Sequence, residues 1–332
     1  MDKFKAIVSR ESPDGSFSYG FEDIDRGFLP DNDILIKVHY TGLNFKDSLV
    51  AKGHKGIARN YPTIPGVDAA GEIVESKDSN YKVGDKVIVT GHDLGMNTFG
   101  GFSEYVSVPA DWIVPCPPEL TLKEAMIYGT AGVTAGLCVS ELINAGISND
   151  KGKVIVTGAS GGVGSMAIGI LGKLGYEVVA STGKSSESDW LKSIGASEVI
   201  DREELNIESN RPLLSARWVG AIDNVGGKTL ENLLKTTGHH GAVCSVGLVA
   251  SDKFTTTVYP FILRGLKLIG IDSAEQELEK KLQLWMKLSE HWKPEAFDKM
   301  YREIPFSEIE NEIELISKGG QRGKCLVKVI KD

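Results

Sequence analysis

The sequence predicts an α/β protein of two domains, a barrel-like all-β domain followed by a doubly wound parallel sheet. A chain of 332 residues is long for a single hydrophobic core. Up to residue 122, short β-rich runs are separated by Gly, Pro and Asp turns, whereas from Lys123 onward strands alternate with helical segments. A glycine-rich turn within residues 152–171 lies between a buried strand and an apolar helix.

Four apolar runs of strand length predict the first domain: FKAIV (4–8), DILIKVHY (33–40), GEIVE (71–75) and DKVIVTG (85–91). No long helical period interrupts this series, so we expect a compact barrel with irregular loops. The tail GKCLVKVIKD (323–332) returns to β character, and we expect it to rejoin this domain. The first domain is therefore predicted over 1–122 and 293–332.

Six further runs predict the strands of the second domain, 123–292: VIVTG (154–158), EVVAS (177–181), EVI (198–200), WVGAID (218–223), GAVCSVG (241–247) and LKLIGID (266–272). Strands that alternate with helices form a parallel sheet covered on both faces, and six of them match a dinucleotide-binding fold. A charged helix follows at 274–292. Its core-facing stripe is predicted at Leu278, Leu282, Trp285 and Leu288.

Composition and charge restrict the partners of the chain. It carries 37 basic and 45 acidic residues, a net charge of -8, which argues against a nucleic-acid or membrane-surface partner. No apolar run approaches the ~20 residues that span a bilayer, and the N-terminus has no signal-peptide core. Four scattered cysteines without a CxxC pair fit reduced thiols. We expect a cytoplasmic protein that binds a small molecule.

The glycine-rich turn has the pattern Ala159-x-Gly161-x-x-Gly164 directly after a predicted strand. Gly161 would let a pyrophosphate approach the backbone, and Gly164 would let the helix pack against the strand. The helix N-terminus would supply N–H donors and a partial positive charge. The pattern favours a dinucleotide ligand, and the alternative is a turn that only connects strand to helix.

The end of the next strand indicates which dinucleotide binds. An NAD site normally has a carboxylate there to bond the ribose 2′-hydroxyl, but this chain has Ser181-Thr182-Gly183-Lys184-Ser185. Lys184, the hydroxyl groups and Arg202 after the third strand would hold a 2′-phosphate. The sequence therefore favours NADP(H), and the alternative is that Lys184 and Arg202 are ordinary surface charges.

Several stretches resemble the medium-chain dehydrogenase/reductase superfamily over essentially the whole chain: TGLNFKDSL (41–49), IPGVDAAGEIV (64–74), YKVGDKVIVTG (81–91) and GTAGVTA (129–135). Two more, 179–197 and 260–273, are similar to its branch of quinone oxidoreductases and acryloyl-CoA reductases. The resemblance implies a GroES-like barrel domain and a Rossmann NADP(H)-binding domain. It also implies a homodimer, with the run LKLIGI at the interface.

The resemblance also separates this chain from zinc-dependent relatives. In alcohol dehydrogenases of the superfamily a cysteine stands where this chain has Asn44, and a His-Glu pair stands where it has Val67 and Asp68. A catalytic zinc needs three protein ligands, and a structural zinc needs four clustered cysteines. The six histidines have no ligand spacing either. We therefore expect no metal site.

The resemblance carries over roles for individual residues. Asn44 is expected near the nicotinamide with its amide free to bond ligand or cofactor, although it could be a turn residue. Tyr61 matches the proton donor of related enoyl reductases, although a packing role is favoured, and Asp47 is expected to fix the loop. The cofactor contacts are expected from Ser160, Gly161, Gly162 and Val163 at the pyrophosphate, from Thr182, Gly183, Lys184 and Arg202 at the 2′-phosphate, and from Leu248, Ile262 and Ser273 at the nicotinamide end.

These features predict an NADPH-dependent, zinc-free reductase of an α,β-unsaturated acyl-CoA, with acryloyl-CoA as the expected substrate. A quinone would also accept a hydride without a metal, and a non-catalytic NADPH-binding protein is the third alternative. A basic loop formed by Lys52, His54, Lys55 and Arg59 could attract the phosphates of coenzyme A. The alternative is that this loop carries ordinary solvated charge.

Overall fold

The computed structural model describes residues 3–330 of the chain, and the two residues at each end of the predicted first domain lie outside it. The chain forms two compact units. Unit 1 contains residues 3–131, 273–289 and 301–330, and unit 2 contains residues 132–272 and 290–300.

Unit 1 contains the β-rich part of the chain. Its strands are β1 (Phe4–Glu11), β2 (Phe17–Ile24), β3 (Ile34–Leu43), β4 (Asp68–Ser76), β5 (Lys86–Thr90), β6 (Tyr105–Val108), β7 (Val114–Pro115), β14 (Tyr301–Pro305) and β15 (Lys324–Lys328). β1 and β2 form an antiparallel pair, and the others form a sheet in the order β14-β15-β3-β4-β5-β7, with β6 paired to β3. Their apolar side chains, among them Ile36, Val89 and Val327, form one core.

The C-terminal segment returns to this sheet. β15 pairs with β3 in antiparallel register, with Leu326 opposite Gly42, and this confirms the predicted return of the tail. The helices of unit 1 are α1 (Phe45–Ala51), α7 (Leu278–Ser289) and α8 (Ile309–Ser317).

Unit 2 is a parallel sheet with helices between its strands. Its strands are β8 (Val154–Val156), β9 (Val178–Thr182), β10 (Glu198–Asp201), β11 (Trp218–Asp223), β12 (Thr237–Ser245) and β13 (Lys267–Gly270), in the order β10-β9-β8-β11-β12-β13. Its helices are α3 (Gly162–Lys173), α4 (Ser188–Ser193), α5 (Gly227–Thr236) and α6 (Tyr259–Arg264). The order places third, second, first, fourth, fifth and sixth strands side by side, as in dinucleotide-binding folds.

Helix α2 (Leu122–Asn144) changes direction at Gly129, whose φ is 48° and ψ is -156°. By length and composition it is apolar enough to cross a membrane, which the search for apolar runs in the sequence missed. However, 72% of its most apolar window is buried inside the protein. The core helix of a globular protein passes the same test, so this helix is weak evidence for a membrane span.

The charged helix α7 packs differently from the sequence prediction. It clusters with unit 1, whereas the predicted boundaries gave it to the second domain. Its buried face contains Lys281, Leu284, Trp285 and Leu288, while Leu282 of the predicted stripe is 37% exposed. Lys281 takes the core position because its ammonium group donates to the carbonyl oxygens of Thr90 and Ala274, at 3.1 and 3.2 Å. A lysine whose ammonium group has backbone acceptors can occupy a buried position that a hydropathy pattern reserves for apolar residues.

Candidate functional site

The glycine-rich turn of unit 2 joins β8 to α3 and leaves the start of this helix without a side-chain cap. The first N–H groups of a helix have no acceptor within it, and here they belong to its first turn, which contains Gly162 and Val163. A Cβ at Gly164 would lie 2.4 Å from the carbonyl oxygen of Gly158, but one at Gly161 would lie 3.3 Å from it. Packing therefore requires Gly164, whereas the bare backbone at Gly161 leaves room for a ligand to approach.

Hydroxyl groups converge at the carboxyl end of β9. Ser160 Oγ lies 3.3 Å from Thr182 Oγ1, and both side chains are buried. Thr182 Oγ1 accepts a hydrogen bond of 3.1 Å from the backbone N–H of Lys184. Ser160, which the sequence assigned to the pyrophosphate, therefore lies next to Thr182 and Lys184, which it assigned to the 2′-phosphate.

The second predicted cation lies next to the same strand end. A Cβ at Gly183 would lie 2.7 Å from Arg202 Nε, so the guanidinium group packs directly over this glycine. Arg202 also pairs with Glu203 at 3.3 Å, but both side chains are mostly exposed. An ion pair between solvent-exposed side chains contributes little to the stability of the fold. Arg202 can therefore exchange Glu203 for an anionic ligand group at small cost.

The end of β11 adds an unpaired acceptor to this edge of the sheet. Asn224 Nδ2 donates to the carbonyl oxygen of Thr157 at 2.8 Å, and this bond fixes the side-chain amide. Asn224 Oδ1 is buried and has no hydrogen-bond partner among the described residues. Neighbouring Asp223 is buried, and burial raises the pKa of its carboxyl group despite a bond from Thr157 Oγ1. An orphaned buried oxygen at the carboxyl edge of a parallel sheet suits a ligand that donates a hydrogen bond.

In unit 1, Asn44 is the N-cap residue of α1, and its amide is not free as the sequence analysis expected. Its Nδ2 lies 2.7 Å from Asp68 Oδ2 and 3.1 Å from the carbonyl oxygen of Gly42. Its Oδ1 accepts a hydrogen bond of 2.8 Å from Lys324 Nζ. The expectation fails because β15 brings a lysine from the far end of the chain next to this loop.

Asp68 and Lys324 form an ion pair in the interior of unit 1. Their charged atoms are 3.0 Å apart, and their side chains are 0% and 1% exposed. The backbone N–H and the hydroxyl group of Thr130 both donate to the second carboxylate oxygen of Asp68, at 2.7 Å. Side chains at Gly42 or Gly129 would collide with this pair, because a Cβ at either position would lie 2.5 Å from Lys324 Cε or Asp68 Oδ2 respectively. Asn44, Asp68, Lys324 and Thr130 are called the buried network below.

Asp47 fixes the loop, as the sequence predicted. Its two carboxylate oxygens accept hydrogen bonds from the backbone N–H groups of Asn44 and Val67, at 2.7 and 2.9 Å. The pKa of Asp47 is raised to about 7 by burial and by the negative charge of Asp68, while the two N–H donors and Lys324 act in the opposite direction. The carboxyl group is therefore poised to titrate close to neutral pH.

Tyr61 points its hydroxyl group into its own unit. It donates a hydrogen bond of 3.0 Å to the carbonyl oxygen of Val50, and its ring packs edge-on against Phe17. Burial raises the pKa of the Tyr61 hydroxyl group, and the charge of Glu11 adds to this. The contacts are those of a packing residue, which the sequence analysis favoured, and a role as proton donor stays a prediction.

The three residues expected at the nicotinamide end are placed as follows. Leu248 lies beside the turn at Gly226, since a Cβ at Gly226 would come within 3.3 Å of its Cα. Ile262 lies on α6. Both side chains are strongly exposed, at 62% and 67%. Ser273 begins the segment that clusters with unit 1. Their contact with a cofactor stays a prediction.

Half of the basic loop is neutralised by carboxylates. Lys52 pairs with Glu314 at 3.1 Å, and Lys55 pairs with Glu11. No ion pair of Arg59 is found within residues 3–330, and its side chain is exposed. The loop therefore offers an anionic ligand less positive charge than the sequence suggests.

The positions where related alcohol dehydrogenases hold zinc have other uses in this chain. Asn44 and Asp68 bond to Lys324, and Val67 is an apolar residue that is almost fully buried. Across the described part of the chain, no group of three His, Cys, Asp or Glu residues could hold a metal ion. A cation placed between Asn44 and Asp68 would meet the ammonium group of Lys324.

Sequence reasoning missed Lys324 and left the role of Thr130 open. Lys324 begins an apolar strand, and nothing in the neighbouring sequence indicates that its ammonium group is buried beside Asp68. Thr130 lies in the quoted stretch GTAGVTA but was given no role.

Two family models match the chain: "Alcohol dehydrogenase GroES-like domain" over residues 30–118 and "Zinc-binding dehydrogenase" over residues 162–287. Among curated relatives, YhfP of Bacillus subtilis (strain 168), which is named as a quinone oxidoreductase, is 44% identical over 98% of this chain and 99% of its own. Acrylyl-CoA reductase AcuI of Ruegeria pomeroyi is 38% identical over 97% of this chain and 98% of its own.

Solved structures agree over almost the whole chain. The crystal structure of Escherichia coli K-12 YhdH with bound NADPH has a TM-score of 0.94 at 42% identity and covers 98% of this chain and 100% of that one. The crystal structure of Bacillus subtilis YhfP with NAD bound has a TM-score of 0.96 at 43% identity and covers 99% of this chain and 100% of that one.

Proposed function

Since the chain belongs to the medium-chain dehydrogenase/reductase superfamily, in the branch of YhfP and AcuI, we propose that it reduces an α,β-unsaturated acyl-CoA with NADPH. The protein is an oxidoreductase with a GroES-like and a Rossmann domain, as the sequence predicted. Acryloyl-CoA is the proposed substrate. A relative 38% identical over nearly its full length carries the name acrylyl-CoA reductase, which supports this choice.

NADP(H) is the cofactor, and the described residues fit it. The uncapped start of α3 would receive the pyrophosphate, and Asn224 Oδ1 offers a buried acceptor. Thr182 and Arg202 would hold the 2′-phosphate. The relative crystallised with NADPH supports this assignment, although YhfP was crystallised with NAD.

The observation that carries the choice of a conjugated substrate is the buried network of unit 1. Asn44 and Asp68, at the zinc-ligand positions of related alcohol dehydrogenases, are bonded to Lys324. A substrate that already has an electrophilic β-carbon needs no Lewis acid, and an enoyl thioester is of this kind.

When bound, NADPH supplies a hydride at its nicotinamide end. The residues of this chain would bind and orient the cofactor and the substrate. Backbone N–H groups at the start of α3 would hold the diphosphate, and Arg202 and Thr182 would distinguish the phosphorylated ribose. Asp47 and the buried network hold the loop that begins at Asn44 in one conformation. None of these roles requires a bound metal ion.

The proposal is tested by a turnover screen with NADPH against acryloyl-CoA, crotonoyl-CoA and simple quinones. We expect propionyl-CoA as the product of acryloyl-CoA, and a kcat/KM for acryloyl-CoA that exceeds that of every quinone. Faster turnover of a quinone would overturn the proposal. NADPH binding without turnover of any of these would favour the non-catalytic alternative.

Quinone reduction is the second candidate, and one observation favours it. Glu314 and Glu11 neutralise Lys52 and Lys55, so the loop offers coenzyme A less charge than was expected. Arg59 is the residue that separates the candidates. Arg59→Ala should raise KM for acryloyl-CoA severalfold and leave quinone turnover unchanged, because a phosphate contact is common to ground and transition states. Lys52→Ala is the matched control, and we expect it to change neither.

A homodimer and a cytoplasmic location are further proposals. β13 is an edge strand of the sheet, and the side chains of Val258, Ile262 and Leu263 nearby in the chain are more than half exposed. Such an edge can pair with a second copy of the chain. Light scattering of the purified protein should give twice the monomer mass.

A further inference from the structure

The buried network fixes the hydrogen-bonding direction of Asn44. A side-chain amide has two hydrogens to donate and one oxygen that accepts. The Nδ2 of Asn44 faces two strong acceptors, Asp68 Oδ2 at 2.7 Å and the carbonyl oxygen of Gly42 at 3.1 Å, with Asp47 Oδ2 at 3.4 Å. Both amide hydrogens are therefore taken up within unit 1.

The opposite orientation of the amide is excluded by charge. A rotation that exchanged Oδ1 and Nδ2 would place the amide oxygen against Asp68 and a carbonyl group, and would place the NH₂ group against the ammonium of Lys324. Each of these contacts is repulsive. The ion pair, with side chains 0% and 1% exposed, has no water to screen these contacts.

We infer that Lys324 and Asp68 are positioning residues, which act through Asn44 so that its side chain can only accept, and never donate, a hydrogen bond to a ligand. Asn44 as a residue is only partly buried, and its oxygen has a second lone pair beside the one that accepts from Lys324, so the inference assigns a ligand donor to this lone pair. The ligand group that meets Asn44 must then be a hydroxyl or an N–H donor. A developing oxyanion on the substrate must find its donors elsewhere.

This inference rests on the proposed NADPH site for one of its two tests. Replacing the ion pair by neutral residues of similar size, in Asp68→Asn with Lys324→Met, removes both charges and keeps the fold, since such exchanges are often neutral for stability. In this double variant the two charges that fix the direction of the Asn44 amide are absent, while the carbonyl oxygen of Gly42 still accepts from it. Lys324→Met alone would leave Asp68 as an uncompensated buried charge and is less suitable.

The first test measures hydrogen exchange of the Asn44 side-chain amide in isotope-labelled protein without any ligand. We expect exchange to become at least tenfold faster in the double variant than in the unaltered protein. Equal exchange rates would overturn the inference. This test is independent of the proposed function, because neither cofactor nor substrate is present.

The second test is a double-mutant cycle on the dissociation constant of NADPH, measured by fluorescence titration. Asn44→Ala and the double variant should each weaken binding about tenfold, the equivalent of one hydrogen bond. Combined, they should weaken it no further, because the ion pair acts through Asn44. If the combined variant instead showed the product of the two separate fold-changes in the dissociation constant, the inference would be overturned. Lys281→Met, which alters another buried lysine of unit 1, is the control. Its effect on the dissociation constant should be independent of the effect of Asn44→Ala.

The two proposals fail in different ways. Absence of NADPH binding or of acyl-CoA turnover in the unaltered protein would contradict the proposed function, and the exchange measurement would still decide the role of Lys324 and Asp68. Normal turnover together with unchanged exchange would leave the proposed function in place and overturn the inference.

Discussion

The glycine-rich turn of unit 2 and the buried network of unit 1 are built in opposite ways. The turn takes its groups from 157–164 and from neighbouring strand ends, and it leaves hydrogen-bonding capacity unused at the start of α3 and at Asn224 Oδ1. The network joins Asn44 to Lys324, which are 280 residues apart, and bonds its polar groups to one another. We therefore expect a ligand to gain hydrogen bonds mainly from the turn, whereas the network holds the loop at Asn44.

The largest effect on stability is expected from removing one of the two charges in the buried network. Lys324→Met leaves Asp68 buried without its counter-ion, which should lower the free energy of unfolding by about 3–5 kcal/mol. Adding Asp68→Asn should restore most of this loss. Urea unfolding of the three proteins measures both values. If the single and double variants were equally unstable, packing rather than charge would dominate the network.

The turn should respond in ligand affinity rather than in stability. Lys184→Ala with Arg202→Ala should weaken NADPH binding by about 3 kcal/mol, since each charge-assisted bond contributes about 1.5–3 kcal/mol and Arg202 is exposed. NADH affinity should stay constant, because NADH lacks the 2′-phosphate. Glu203→Gln is the control and should strengthen NADPH binding slightly. Equal affinities for NADPH and NADH in the unaltered protein would contradict the assignment.

Two glycines separate packing from ligand approach within the same turn. Gly164→Ala places a Cβ 2.4 Å from a backbone oxygen and should destabilise the protein by about 1–3 kcal/mol. Gly161→Ala has 3.3 Å to the same oxygen, so it should lower the melting temperature less than Gly164→Ala does, and it should weaken NADPH binding. Thermal unfolding and NADPH titration of both variants check this. A stability loss in Gly161→Ala equal to that in Gly164→Ala would contradict the distinction.

The same contrast explains how much the sequence could predict. The strand order of unit 2, the turn and the neighbourhood of Thr182 and Arg202 follow from short-range patterns, because parallel strands place their carboxyl ends at one edge. The fully bonded amide of Asn44 could not be foreseen, because it depends on the register of β15 against β3. The burial of Lys281 was not predicted for a related reason, since only the folded chain shows the carbonyl groups that accept hydrogen bonds from it.

The pH dependence of stability is expected to give the smallest change per step, and in unit 1 it depends on Asp47 in the loop at Asn44. The pKa of Asp47 is raised from 3.8 to about 7, by burial and then by Asp68. The folded carboxyl group therefore binds its proton more tightly than the unfolded one. Its contribution to stability is fully present below about pH 4 and is lost as the pH rises through 7.

Asp47→Asn removes this titration and adds a constant offset, because an amide can accept from only one of the two N–H groups at Asn44 and Val67. The unfolding free energy of the unaltered protein, minus that of the variant, should therefore fall between about pH 4 and 7, by at most about 1.4 kcal/mol per pH unit, and then level off. Urea unfolding across this range measures the difference. Parallel curves would mean that Asp47 stays ionised throughout, so that its two N–H donors and Lys324 outweigh burial and the charge of Asp68.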